Sequence, residues 1–144
     1  MIHLGFTGSR TGITEEQGEE LNNIFSEHNK FVLHHGQCIG ADLFTFLIAK
    51  PYNNLIVFHP PIYERNMFIL TDDFKKDLKY KIEKPKDYLV RNKDIVDQSK
   101  ILIACPETAY EKSRSGTWST INYAKRKKRK ILIIFPSGNI NTIN

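Results

Sequence analysis

Short apolar runs alternate along the chain with stretches in which apolar residues return at helical spacing. Ile2-His3-Leu4-Gly5-Phe6 reads as a first strand, broken by the small, turn-forming residues 7–12. Thr14 and Gln17 frame a capping box for a helix beginning at about 15, with Leu21, Ile24, Phe25 and His28 on one stripe. Residues 31–34 form a second strand ending in His35-Gly36-Gln37-Cys38-Ile39-Gly40. The nearly all-apolar residues 41–50 follow as a helix, expected to be buried and stopped by Pro51. The continuous apolar run Leu55-Ile56-Val57-Phe58 suits a parallel strand covered on both faces. Residues 62–86 carry the weakest signal: a short polar helix over 74–82 is one reading, an irregular excursion the other. Residues 87–98 predict a helix, 100–104 a fourth strand, 116–126 a helix and 131–135 a fifth strand. The expectation is one domain over 1–136 and a loose tail over 137–144.

Strands separated by helices imply right-handed βαβ units, hence an α/β fold: a Rossmann-like, doubly wound, mainly parallel five-stranded sheet. In such sheets ligands sit beyond the carboxyl ends of the strands where strand order reverses, which directs attention to 7–10, 35–42, 59–61 and 105–118. With 144 residues, 40% hydrophobic and 26% charged, the chain suits one globular domain rather than a disordered or fibrous one. No apolar run approaches the roughly 20 residues that span a bilayer, and residues 1–5 lack a basic leader, so a cytoplasmic protein without membrane contact is expected. Cys38 and Cys105 lack Cys-x-x-Cys spacing and are expected to be reduced. Cys105 ends a strand, where a nucleophile is placed in some folds, but a reactive thiolate needs an activating base or positive field.

The net charge of +5 is local, because Lys125-Arg126-Lys127-Lys128-Arg129-Lys130 alone supplies more than that. A second lysine-rich stretch covers 75–86. The run of six suggests single-stranded nucleic-acid binding through counterion release. It also suits the C-terminal end of a helix, where the macrodipole favours cations, and only Tyr123 accompanies it as a stacking platform. Because it precedes strand five, it is expected at the opposite edge of the sheet from the crevice. Weak, non-specific nucleic-acid binding at low salt is therefore the expectation.

Thr7-Gly8-Ser9-Arg10 offers open backbone N–H groups, two hydroxyls and a guanidinium, all suited to phosphate oxygens. It matches neither the P-loop nor the Gly-x-Gly-x-x-Gly fingerprint. Ser113 to Thr120 opens the last helix with small hydroxyl residues, giving a second anion site or, for Ser115 and Thr117, simple N-capping. Trp118, the only tryptophan, suits base stacking or the core. Asp42, in the first turn of its helix, either binds a ribose or supports the preceding loop. Arg91 and Asn92 lie near a helix start, within reach of a phosphate, unless Arg91 pairs with Asp87 or Asp94. His34 and His35 point to opposite faces of a strand and cannot share a metal, and no metal or cofactor is expected.

Taken in order, Thr7-Gly8-Ser9-Arg10, His35-Gly36 with Gly40-Ala41-Asp42, Arg91-Asn92, and Ser115-Gly116-Thr117 leading to Ala124 resemble the SLOG superfamily of Rossmann-like nucleotide-binding proteins. That superfamily includes the LOG phosphoribohydrolases and the DNA-processing protein A group. The resemblance implies a sheet ordered 3-2-1-4-5, with 2-1-3-4-5 the alternative, usually in a homo-oligomer such as a dimer. It also implies a pocket for a nucleoside monophosphate or ADP-ribose-like ligand, held by these residues together with Trp118. LOG hydrolases carry a Pro-Gly-Gly-x-Gly-Thr-x-x-Glu motif, and Thr120 stands at the position of its glutamate. N-glycosidic hydrolysis here would need a relocated carboxylate, for which Asp42, Glu107 and Glu111 are candidates. Binding of a nucleotide-derived ligand is thus the first expectation, hydrolysis of its glycosidic bond the second and single-stranded nucleic-acid binding the third.

Overall fold

The continuous apolar runs become the middle of a seven-stranded sheet in the computed structural model, which describes residues 1–144. The strands are β1 Ile2–Gly8, β2 Phe31–His35, β3 Leu55–Phe58, β4 Tyr80–Ile82, β5 Ile101–Cys105, β6 Lys130–Ile134 and β7 Ile140–Ile143. Their order is β4-β3-β2-β1-β5-β6-β7, parallel throughout except for β7. The five expected strands therefore stand in the order 3-2-1-4-5. The alternative would set the third strand beside the first, but β3 pairs with β2 in the register Leu33↔Ile56 and His34↔Val57. No helix is long and apolar enough to cross a membrane.

The sheet has seven strands rather than five because both edges carry one more. On one edge, the helix considered over 74–82 ends at Lys75 (α3, Asp72–Lys75), and Tyr80–Ile82 pairs with β3 instead. All three β4 residues are exposed, so no alternation of buried and exposed positions marks the strand, and Lys81 is a charge typical of an edge. On the other edge, residues expected to be a loose tail turn back on β6. Phe135 N–H donates to Asn139 O (2.8 Å), Gly138 takes φ +91°, and Ile140–Ile143 runs antiparallel.

Alternate residues of the strands feed two layers. Ile101, Ile103 and Cys105 of β5 join Leu4, Phe6 and Leu33 beneath α1 (Glu15–Glu27) and α2 (Ala41–Ala49). Leu102 and Ala104 pack with Val96 of α4 (Tyr88–Asp97) and Ile121 of α5 (Gly116–Arg126) on the other face. The expected capping box is present: Gln17 N–H donates to Thr14 Oγ1 (3.1 Å) and Thr14 N–H to Gln17 Oε1 (2.9 Å). The buried Gln17 amide also donates to Pro106 O and Ile134 O (3.0 and 2.9 Å), tying α1 to the exits of β5 and β6. The expectation that α2 is buried holds for one stripe only. Phe44 and Leu47 are 48% and 41% exposed, because a nine-residue helix turns only part of its circumference to the sheet.

His34 and His35 do point to opposite faces. His35 packs among Phe46, Phe58 and Phe68, its Nδ1 accepting Gln37 N–H (3.0 Å) and its Nε2 without a partner. His34 links His3 (Nδ1 to Nε2, 2.8 Å) and His59 (Nδ1 to Nε2, 2.9 Å) in a hydrogen-bonded chain across β1, β2 and the end of β3. Burial, followed by neighbouring positive charge, lowers His34 and His35 to about 3, and burial lowers His59 to about 4. Unfolded imidazoles titrate near ~6.5, so below that pH the unfolded chain takes up protons that the folded one refuses. Stability should therefore rise with pH between about 4 and 6.5, by up to ~1.4 kcal/mol per pH unit for each proton, and then level off. Asp42, raised to about 6, acts in the opposite sense over part of this window but offsets only one of the three. Urea unfolding at half-unit pH intervals checks this; a stability independent of pH below 6.5 would contradict it.

Candidate functional site

β1 and β5 are neighbours, yet β1 leads to α1 on one face and β5 leads to α5 on the other. The exits of the two strands diverge, and a crevice of ≈380 Å³ opens between them, at the reversal of strand order. Thr7, Gly8, Ser9 and Arg10 contribute to its lining from the first exit, and Glu107, Ser115, Gly116, Thr117 and Trp118 from the second. Gly36, Asp42, Arg91 and Asn92 also line it. Two residues from the expected set do not. His35 lies in the aromatic core, and Gly40 serves as the N-cap of α2 at φ +93°, where an added Cβ would run into the Arg10 carbonyl. Gly40 thus lets the loop after β1 dock on α2, a contact closed by Ala41 N–H donating to Ser9 O (2.9 Å).

Each wall has its own support. Ser9 Oγ accepts Thr11 N–H (3.1 Å) and is 2.7 Å from Thr11 Oγ1, which fixes the turn. Ser115 caps α5, its Oγ accepting Trp118 N–H (3.2 Å). The capping role considered for Ser115 is therefore real, and it leaves the Gly116 and Thr117 amides of the first turn without intrahelical partners. Trp118 packs in the core with Val96 and Leu102 while bordering the crevice, and its buried Nε1–H has no partner. Thr120 lies outside the crevice, its hydroxyl donating to Gly116 O (2.8 Å) within the helix.

Arg91 is buried but pairs with neither Asp87 nor Asp94; Asp94 accepts from Lys86 Nζ instead (2.6 Å). Arg91 Nη1 donates to Gly36 O (2.6 Å) and His59 O (3.0 Å), and Nε donates to Asn92 Oδ1 (2.8 Å). One guanidinium thus joins the exits of β2 and β3 to α4. A Cβ on Gly36 would collide with that guanidinium and stand 2.9 Å from Asp42 Oδ2, so only glycine admits the arrangement. Asp42 Oδ2 accepts Cys38 N–H (3.1 Å), consistent with support of the loop. Burial raises the Asp42 carboxyl to about 6, against the opposing pull of Arg91 and the backbone N–H groups. Burial, then the Asp42 charge, raises the Cys38 thiol, and burial raises that of Cys105, which does not line the crevice. Neither cysteine is set up as a thiolate nucleophile.

Tyr88 is a crevice residue the sequence reading missed. Arg10 Cζ lies 4.9 Å and Arg91 Cζ 5.3 Å from its ring centroid, so the ring holds two guanidinium groups near one another. Its position three residues before Arg91 on the same helix was the available signal. Lys112 and Arg114, within the stretch 105–118, also line the crevice, which gives Arg10, Arg91, Lys112 and Arg114 against Asp42 and Glu107. Glu111 lies in an adjoining hollow. No group of three or more His, Cys, Asp or Glu side chains is disposed to hold a metal ion.

No protein-family model matches the chain, and no curated protein sequence does. Solved structures do match. A molybdenum cofactor binding protein from the phototrophic bacterium Rippkaea orientalis superimposes with a TM-score of 0.68 at 19% identity, over 93% of this chain and 76% of that one. DNA processing protein A from Streptococcus pneumoniae gives 0.68 at 16% identity, over 92% of this chain and 50% of that one. DNA processing protein A from Helicobacter pylori, described with a single-stranded DNA binding mode, gives 0.61 at 15% identity, over 92% of this chain and 64% of that one. The chain therefore spans about half to three quarters of the length of these proteins, and what it shares with them is the fold, a Rossmann-like, mainly parallel sheet flanked by helices.

Proposed function

We propose that the chain binds a phosphorylated nucleoside, either a nucleoside monophosphate or an ADP-ribose-like ligand, in the crevice between β1 and β5. The observation that carries this is the meeting of two segments suited to anions, Thr7-Gly8-Ser9-Arg10 and the first turn of α5, on one cavity with a surplus of cations. The open amides of Gly116 and Thr117 and the Arg10 guanidinium suit phosphate oxygens. Asn92 suits hydrogen bonding to a ribose or base, while Arg91 is committed to backbone carbonyls and acts by shaping the site. The fold likeness to a cofactor-binding protein and to DNA processing protein A is consistent with this reading.

Hydrolysis of the N-glycosidic bond is a second reading, favoured by the presence of Asp42 and Glu107 in the crevice. Asp42 is already engaged by Cys38 N–H, which makes it better placed as a support than as a base. Single-stranded nucleic acid is a third reading, supported by the basic run and by the likeness to the Helicobacter pylori protein. We also propose that the chain forms a homodimer through α2, whose exposed Phe44 and Leu47 present an uncharged apolar face.

Thermal-shift measurements with AMP, ADP-ribose and cyclic nucleotides should show stabilisation by at least one of them, about 2.7 kcal/mol at 100 times Kd. Arg10→Ala should weaken that ligand at least tenfold, the loss of a charge-assisted phosphate contact being worth roughly 1.5–3 kcal/mol. Silence across the panel would refute the binding reading. Free base appearing in the same mixtures, and lost in Asp42→Asn or Glu107→Gln, would promote the hydrolase. Light scattering should find a dimer that Phe44→Asp converts to a folded monomer; a monomeric parent chain would refute the α2 interface.

A further inference from the structure

The crevice is not closed at its α5 side. Leu89, Arg114, Ser115 and Trp118 line both it and a second hollow of ≈450 Å³. That hollow continues along α5 past Ser119 and Asn122 to Arg126. Ser115, Ser119, Asn122 and Arg126 are spaced four, three and four apart, which puts them on one helix face. The sequence reading set the basic run at the far edge of the sheet from the crevice. Its second member, Arg126, instead lies at the end of a hollow adjoining the crevice.

A polar stripe on a surface helix is ordinary, and three features set this one apart. Leu89 is 62% exposed and borders both hollows, so an apolar side chain stands in water beside polar neighbours. Trp118, which borders both as well, keeps a buried indole N–H without a partner. The hollow shares Lys112 and Arg114 with the crevice and adds Arg126, so that three cations stand along it against the single carboxylate of Glu111. Apolar surface, hydrogen-bonding groups and excess positive charge side by side are what a nucleoside phosphate requires.

Building on the crevice reading above, we propose that the ligand has two nucleoside phosphate units. The first phosphate lies at the N-terminus of α5, the second unit lies along Ser119 and Asn122 with an apolar edge on Leu89, and its phosphate meets Arg126. The length of the helix fits such a ligand. Gly116 to Arg126 rises about 15 Å, and an arginine on a helix reaches back toward the N-terminus by about one turn. The remaining span of about 10 Å is covered by two phosphates with a nucleoside between them, together with their contact distances to the helix amides and the guanidinium.

The test titrates AMP, ADP-ribose and the 5′-phosphorylated dinucleotide pApA into the full chain at fixed salt, by calorimetry and by the fluorescence of Trp118, the only tryptophan. The dinucleotide should bind about tenfold or more tighter than AMP, as expected for an added charge-assisted contact. Arg126→Ala should bring the ratio of the two affinities close to one. Lys125→Ala, which removes an equal charge from the same helix outside the hollow, should preserve the ratio. AMP bound as tightly as pApA would overturn the second subsite while leaving the crevice reading intact. So would an equal effect of Lys125→Ala and Arg126→Ala, or ADP-ribose matching the dinucleotide. Affinity that keeps climbing with the length of an oligoadenylate would overturn it in favour of a nucleic-acid surface. Failure of AMP and pApA alike would overturn both readings.

Discussion

The parallel pairing of β1 with β5 is the constraint on which the remainder depends. With Thr7 opposite Ala104 and Gly8 opposite Cys105, the two strands end level with one another. Their continuations then pass to opposite faces of the sheet. No side chain has to be displaced to open the crevice, because topology opens it. Parallel strands also turn all their exits to the same end, so segments separated by about a hundred residues of sequence converge there: the loop after β1, the start of α2, the start of α4 and the start of α5.

Convergence of strand exits leaves many backbone carbonyls competing for few donors, and Arg91 resolves part of this. Its guanidinium satisfies the carbonyls of Gly36 and His59 and leans on the Tyr88 ring, against which Arg10 also lies. A buried cation is tolerable only when its hydrogen-bonding capacity is used and its field is met by something negative. The carbonyls on Nη1, Asn92 Oδ1 on Nε and the Cys38 sulfur beside Nη2 serve the first requirement, and Asp42 contributes to the second. The same carboxylate holds the Cys38 amide, so the loop after β2 is fixed by the neighbour that also offsets Arg91. Positive charge from Arg10, Lys112 and Arg114 is then left to face the cavity.

The elements legible in the sequence were those with strong burial. Phe31, Leu33, Ile56 and Ile103 lie in continuous apolar runs because their strands are covered on both faces, while the order of those strands, 3-2-1-4-5 as observed, came from the resemblance and not from burial. β4 was not legible because Tyr80, Lys81 and Ile82 are all exposed and are held by backbone pairing, which leaves no mark in side-chain pattern. β7 had a mark that was passed over, the turn at Ser137-Gly138-Asn139 before Ile140. At the crevice, most of the small and charged residues singled out after each strand line one cavity. His35 entered the expected set through the resemblance, and in the structure its side chain turns away from the crevice toward Phe58 and Phe68. Tyr88 was missed because an aromatic at a helix start has no chemistry of its own until two guanidinium groups are folded against it.

The central claim is that one phosphate is held from both walls of the crevice at once. Backbone amide chemical shifts followed by NMR during a titration with AMP test it most directly. The account predicts that the amides of Gly8 and Ser9 on one wall, and of Gly116 and Thr117 on the other, shift together with a single Kd. Shifts confined to one wall, or centred on residues 125–130 with the crevice amides unmoved, would contradict it.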